Sequence, residues 1–175
     1  MSLTDKGRVR RDALLDATIR VLEQGGPAAV SHRSVAAEAG VPLSAATYYF
    51  SSLDDLYRSA LTRATDAQLP LIRSLGHPAR LRELAAALHD WAIVDHASAV
   101  AQYELMFLAM RDGAVSDDAA RWYDALEAAL ATRGLAGDEL ARAAYAIDGL
   151  LMRMVWRREP ATIDDVETQL RRILG

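Results

Sequence analysis

The chain of 175 residues contains no cysteine. Disulfides, thiolate metal sites and cysteine nucleophiles are therefore excluded together, and the composition fits a reducing compartment. Long hydrophobic runs are missing too. The apolar stretches are short and broken by charge, as where Trp91-Ala92-Ile93-Val94 meets Asp95, far below the roughly 20 apolar residues of a membrane span. Met1 to Arg11 is polar and shows no apolar stretch leading to a cleavage site, so a signal peptide is not expected. These absences point to a cytoplasmic protein with no membrane partner. A basic surplus is absent as well: 20 Lys+Arg face 24 Asp+Glu, and the net charge of −4 gives no global sign of a nucleic-acid partner. Val, Ile and Thr occur mostly singly and never in a clean alternating run, which leaves strands with little support.

What is present is a helical composition. Alanine and leucine supply 34 and 24 residues, about a third of the chain, and the 51% hydrophobic share is ample for a core without a staple. The expected fold is all-α with about nine helices. A first helix from about Arg8 to Gln24 carries Leu15, Ile19 and Leu22 on one stripe, widened by Leu14, Ala17 and Val21. Gly25-Gly26-Pro27 stops it. Ser31 caps a short helix from about His32 to Ala39, Gly40 ends that one, and Pro42 opens another to about Phe50. Ser52 with Asp55 starts a fourth, with Leu56, Ala60, Leu61 and Ala64 inward and Pro70 expected to kink or interrupt it. Further helices are expected at about Pro78–Asp95, Ala97–Asp112, Asp117–Arg133, Asp138–Arg158 and Ile163–Leu174, with Gly113, Gly134 and Gly137 marking ends and Ser116 and Thr162 as N-caps.

The segment from Val30 to Phe50 has the requirements of a helix-turn-helix. Ala36 supplies a small residue where two helices cross, and Gly40, four residues on, supplies a positive φ for the turn. Val35, Val41 and Ala46 are spaced to bury the inner faces. The second of these helices then offers short side chains to a DNA major groove about 12 Å wide. An ordinary helical hairpin within a bundle would satisfy the same short pattern.

The longer context resembles a known family. Residues from about Arg8 to Leu61 are similar to the N-terminal domain of TetR-family transcriptional regulators. The resemblance rests on Ser31, Arg33, Val35-Ala36 and Glu38-Ala39-Gly40-Val41, then on Tyr48-Tyr49-Phe50-Ser51-Ser52 and Asp54-Asp55-Leu56. It implies a DNA-binding domain over 1–52, a connecting fourth helix over 53–75, and a ligand-binding and dimerisation domain over 53–175. It also implies a homodimer that binds a pseudo-palindromic double-stranded DNA operator and represses until a small-molecule effector tilts the reading domains apart. By position, Ser31 offers a hydroxyl to a phosphate and Arg33 contacts backbone or a base edge. Leu43, Ser44, Ala45 and Thr47 form the recognition face, with Tyr48 and Tyr49 reaching phosphates or thymine methyls. Two positions depart from the family pattern: Leu53 stands where a phosphate-gripping lysine is common, and Thr47 where a tyrosine is frequent. Arg8, Arg10 and Arg11 are candidates to compensate. The recognition face has no Asn, Gln or Arg for bidentate base contact, so specificity is expected to come largely from phosphate register and DNA shape.

In the companion half, Tyr103, Met106, Phe107 and Met110 lie at i, i+3, i+4, i+7, with Trp122, Tyr123, Tyr145, Met152 and Trp156 on neighbouring helices. This pattern fits either a plain core or a ligand cavity. The polar minority of His89, Glu104 and Asp148 favours a cavity for a mostly apolar ligand, because a buried carboxylate needs a partner. The candidate effector site is thus His89, Tyr103, Glu104, Phe107, Met110, Trp122, Tyr145, Asp148 and Met152. Leu140, Ala144, Ile147, Leu151 and Met154 step 4-3-4-3, and Ile163, Val166, Leu170 and Ile173 step 3-4-3. Such seams either cover their own core or form half of a four-helix bundle completed by a second subunit.

His89 and His96 are too far apart for a compact metal site, and no phosphate loop, nucleophile elbow or catalytic constellation is visible. No cofactor, metal or enzymatic activity is expected. The reading is a ligand-responsive DNA-binding regulator, with a helical-bundle interaction protein whose helix-turn-helix is only structural as the alternative. Split at residue 60, the first part is neutral, with 7 cations against 7 anions, and the acidic surplus lies in the second, 13 against 17. A neutral reading domain is expected to bind DNA modestly unless two subunits engage together.

Overall fold

The structure is a computed structural model that describes residues 5–110, 116–157 and 162–175. Among these, nine α-helices and no strands occur: α1 (Asp5–Gly25), α2 (His32–Glu38), α3 (Leu43–Tyr49), α4 (Leu53–Ser74), α5 (Leu81–His89), α6 (His96–Met110), α7 (Ser116–Thr132), α8 (Gly137–Arg157) and α9 (Ile163–Leu174). The all-α expectation holds. The ends expected at Asp112, Gly113 and Arg158 lie outside the described residues, as does the Ser116 side chain.

One local expectation is corrected and two are sharpened. The helix expected over 78–95 is instead a 3-10 turn at Pro78–Arg80, then α5, then a π-helical stretch at Asp90–Val94, where the Asp95 amide reaches five residues back to the Asp90 carbonyl at 2.7 Å. Pro70 does not interrupt α4. Both Pro70 and Asp66, whose carbonyl loses its intrahelical donor, are exposed, so water can satisfy the freed carbonyl. The Ser52 hydroxyl accepts from the Asp55 amide at 3.1 Å, but the Asp55 carboxylate reaches back to the amide of Ser51 rather than to that of Ser52.

The chain packs as two compact units, and the division between them falls within α4 and α6. The first unit combines residues up to Ala64 with Val100–Ser116. Its core draws Leu14, Leu15, Val21 and Leu22 from α1, Val35 and Ala36 from α2, Ala46 from α3, Leu56, Ala60 and Leu61 from α4, and Ala101 and Leu105 from α6. Thr18 is fully buried on the same stripe, and its hydroxyl donates to the Leu14 carbonyl at 2.9 Å, which removes the cost of a buried polar group. Ion pairs hold the helices around this core: Arg63 of α4 donates to both carboxylate oxygens of Asp16 in α1, and Arg20 of α1 meets Glu38 of α2 at 2.6 Å.

The second unit comprises Thr65–Ala99 and Asp117–Gly175. Here α9 packs on α5 and α8. Thr162 caps α9 by accepting from the Asp165 amide, and Asp165 returns a carboxylate to the Thr162 amide at 2.9 Å. Arg82 of α5 reaches Asp164 at 2.7 Å and Glu167 at 2.8 Å in α9.

The heptad seams of α8 and α9 prove to be mostly interior to the chain. Ala144, Ile147, Leu151, Met154, Val166 and Leu170 are buried within this unit, and Leu140, Ile163 and Ile173 are half-buried. Of the two uses open to such seams, the helices cover their own core, with α9 packed on α5 and α8 packed on α9 and on the Asp90–Val94 stretch. The face of α8 left in solvent is a different one. Tyr145 is 74% exposed and Trp156 is 80% exposed; with exposed Gly149 and half-buried Met152 they step 4-3-4 along the outer side.

Candidate nucleic-acid interface

The helix-turn-helix is built from short-range rules. Ser31 has extended backbone and caps α2 by accepting from the Ser34 amide at 3.0 Å, while the Ser34 hydroxyl accepts from the Ser31 amide at 2.8 Å. After α2 the chain turns through Gly40 at φ 66°, a left-handed conformation that strains any residue with a Cβ. That turn lets the Val41 amide donate to the Ala36 carbonyl at 3.0 Å. Ala36 is buried at the junction, as its small size requires, and Val35, Ala46 and Phe50 close the inner face.

The outer face of α3 stands in solvent. Leu43, Ser44, Thr47 and Tyr48 are exposed, with Tyr48 at 71%. Their spacing of i, i+1, i+4, i+5 places them on one side of the helix. Ala45 is half-buried. Tyr49 is half-buried too and meets Tyr48 edge to face, ring centres 5.1 Å apart. The Thr47 hydroxyl donates to backbone carbonyls of Leu43 and Ser44 at 3.3 Å each, which leaves its lone pairs as acceptors toward solvent. Arg33 is exposed on α2, and Ser31 is half-buried with its oxygen engaged in the cap. The structure thus brings the eight sequence-assigned residues into one segment, five of them exposed.

The N-terminal cations divide. Lys6, Arg8 and Arg10 are exposed, and Arg8 pairs with Asp5. Arg11 is structural instead: its guanidinium lies 5.4 Å from the centre of the Phe50 ring and donates to the Ser59 hydroxyl at 3.1 Å. Leu53 is partly buried against the core, so the place of the missing lysine is used for packing. Sequence reasoning missed His32, whose Nε2 lies 3.1 Å from the Phe50 carbonyl oxygen. No local pattern announces that contact, since it joins residues 18 apart.

Known regulators match 95% of the chain. The family model described as bacterial regulatory proteins of the tetR family matches residues 14–60, and a tetracyclin repressor-like C-terminal domain matches residues 76–175. The chain belongs to the TetR family. Among solved structures, the multidrug binding protein EbrR in complex with ethidium is 34% identical over 95% of this chain and 99% of its own, with a TM-score of 0.74. A TetR-family member from Streptomyces coelicolor is 33% identical over 95% and 98% of the two chains, with a TM-score of 0.77. A comparison with curated proteins finds no match. Members of the TetR family are non-enzymatic DNA-binding transcriptional regulators, and this chain is one.

The sequence-assigned effector residues of this TetR-family chain fall in both units. Tyr103, Glu104, Phe107 and Met110 lie on α6 in the first, and His89, Trp122, Tyr145, Asp148 and Met152 in the second. Tyr145, Phe107 and Met110 are exposed. Burial pushes the Glu104 carboxyl above its ordinary range. Asp148 is also pushed up by burial, against a hydrogen bond that it accepts from the Tyr123 hydroxyl at 2.8 Å. Burial and that same bond raise the Tyr123 phenol to about 12. The second unit also carries an open groove of about 510 Å³ lined by Leu69 and Arg73 of α4 and by Arg121, Asp124, Ala125, Ala128, Ala129 and Thr132 of α7. None of the nine assigned residues lines it. Among the described residues no cluster suited to a metal ion occurs, and no helix is long and apolar enough to cross a membrane.

Proposed function

We propose that this TetR-family chain is a dimeric repressor that reads a pseudo-palindromic operator and is released by a small aromatic cation. The observation that carries the DNA-reading role is the exposed outer face of α3 on a helix-turn-helix whose inner face is fully closed. A purely structural hairpin has no need to leave Leu43 and Tyr48 in water beside Ser44 and Thr47. Arg33 adds the cation, and Lys6 and Arg10 supply further charge for phosphates.

The outer seam of α8, with Tyr145, Gly149, Met152 and Trp156, supports a homodimer with an interface on that face. Exposed aromatic rings at heptad spacing are costly in water and pack well against a second copy of the same helix. For the effector, the half-buried carboxyl of Asp148 in the second unit favours a cation, which would hold it ionised. EbrR has been solved with ethidium, malachite green and proflavin, all aromatic cations. The test is to enrich duplexes from a random pool with the purified chain and titrate the bound complex with ethidium. An enriched inverted repeat released by ethidium from the wild-type chain, and less readily from Asp148→Asn, supports the reading, since ethidium also intercalates into the duplex itself. Enrichment of no sequence contradicts DNA reading, and a complex indifferent to ethidium contradicts the effector class.

A further inference from the structure

We propose that His32 is a positioning residue that closes the open end of the helix-turn-helix and thereby sets the spacing of the DNA-contacting side chains. The inference rests on the DNA-reading role. At one end, α2 and α3 are joined by the Gly40 turn and by the Val41 amide on the Ala36 carbonyl. At the other end, where α2 begins and α3 finishes, no short covalent link holds the helices together. There His32, the first residue of α2, places Nε2 3.1 Å from the carbonyl oxygen of Phe50, the C-cap of α3. A carbonyl only accepts, so the ring must carry its proton on Nε2.

The far side of this clip is buried and held by several contacts. Phe50 is 1% exposed, its amide donates to the Ala46 carbonyl at 3.0 Å, and Arg11 covers its ring while bonded to Ser59 of α4. His32 therefore ties the first turn of α2 to a fixed point. Its neighbours in sequence are Ser31 and Arg33, and Phe50 directly follows Tyr48 and Tyr49 in the chain. The clip sets the distance between these two groups. Contacts that set register and fit in a groove tolerate errors of only about 0.5 Å, whereas bulk charge attraction to phosphates tolerates far more. Loss of the clip should then lower specific binding and spare non-specific binding.

The experiment compares a duplex enriched by the wild-type chain from a random pool with a random-sequence duplex of equal length, at one salt concentration. His32→Ala is expected to weaken binding to the enriched duplex about tenfold, the scale of one lost hydrogen bond. Binding to the random duplex is expected to stay within about twofold, since its phosphate contacts are intact. His32→Gln, whose side-chain amide can donate to the same carbonyl, restores specific binding. His32→Met keeps a similar length without a donor and does not; this pair decides the matter if the alanine variant does not fold. An equal loss on both duplexes, no loss on either, or equal binding by the Gln and Met variants overturns the proposal. A wild-type chain that enriches no sequence overturns the DNA-reading role instead, and is seen before any variant is made.

Discussion

Two helices present an exposed face, and the two faces differ in kind. The outer side of α3 carries Leu43, Ser44, Thr47 and Tyr48, a mixture of small groups and hydroxyls suited to a wet, polar groove. The outer side of α8 carries Tyr145, Gly149, Met152 and Trp156, aromatic and apolar around one glycine, suited to a dry contact with another helix. Around α3 the scaffold is fixed by Ser31, Gly40, His32 and Arg11, so that few side chains project from a rigid frame. Around α8 the rigidity comes from the opposite face, where Ala144, Ile147, Leu151 and Met154 are buried. On the reading proposed above, one chain of similar helices separates DNA reading from pairing by what it leaves outside, with the inner faces built alike.

The largest expected effect breaks the inner side of that comparison. Leu170→Asp places an unpaired charge at a fully buried position and should cost about 3–5 kcal/mol, enough to unfold a marginal domain. By contrast Trp156→Asp, on the outer face, should leave the thermal midpoint almost unchanged and convert the dimer to monomer by light scattering. If both variants unfold, or if Trp156→Asp remains dimeric, the outer face of α8 is not the interface.

Next in size, Arg33→Ala should weaken binding to the enriched duplex by ~1–3 kcal/mol at fixed salt. An unchanged affinity would mean that the first turn of α2 does not touch DNA. Smaller still, Thr162→Ala removes the cap of α9 and should lower stability by about 0.5–2 kcal/mol in denaturant unfolding, with DNA affinity of the folded dimer retained.

The smallest expected effect concerns pH. Asp148 has a folded-state pKa above its unfolded value. In the window between the two, the folded chain keeps a proton that the unfolded chain has lost, so its contribution to stability falls as pH rises through that window. Asp148→Asn should flatten this part of the pH profile and also reduce ethidium affinity. The cation should bind less well as pH falls through the raised pKa, because binding requires the ionised carboxylate.

The sequence made the backbone of the reading unit legible because its signals are local. A cap at Ser31, a positive φ at Gly40 and a small residue at Ala36 each act within one or two turns, and all three are found where expected. The two stripes of α8 were not separable in the same way. Leu140, Ala144, Ile147, Leu151 and Met154 and the outer set at 145, 149, 152 and 156 share heptad spacing, so periodicity alone cannot say which one the chain covers. That choice is made by α9 and the Asp90–Val94 stretch, which arrive from elsewhere in the sequence. Arg11 and His32 were opaque for the same reason, since their partners Ser59 and Phe50 are brought to them only by tertiary packing. Leu53 reads as a lost phosphate contact until its burial shows what replaced it.

The central claim is that the exposed face of α3, presented twice by a dimer, reads DNA. Selection of duplexes from a random pool by the purified chain at fixed salt tests it most directly. The account predicts enrichment of an inverted repeat by the wild-type chain and none by Trp156→Asp at the same concentration. Enrichment of a single, unrepeated site, or equal enrichment by the folded monomeric variant, would contradict it.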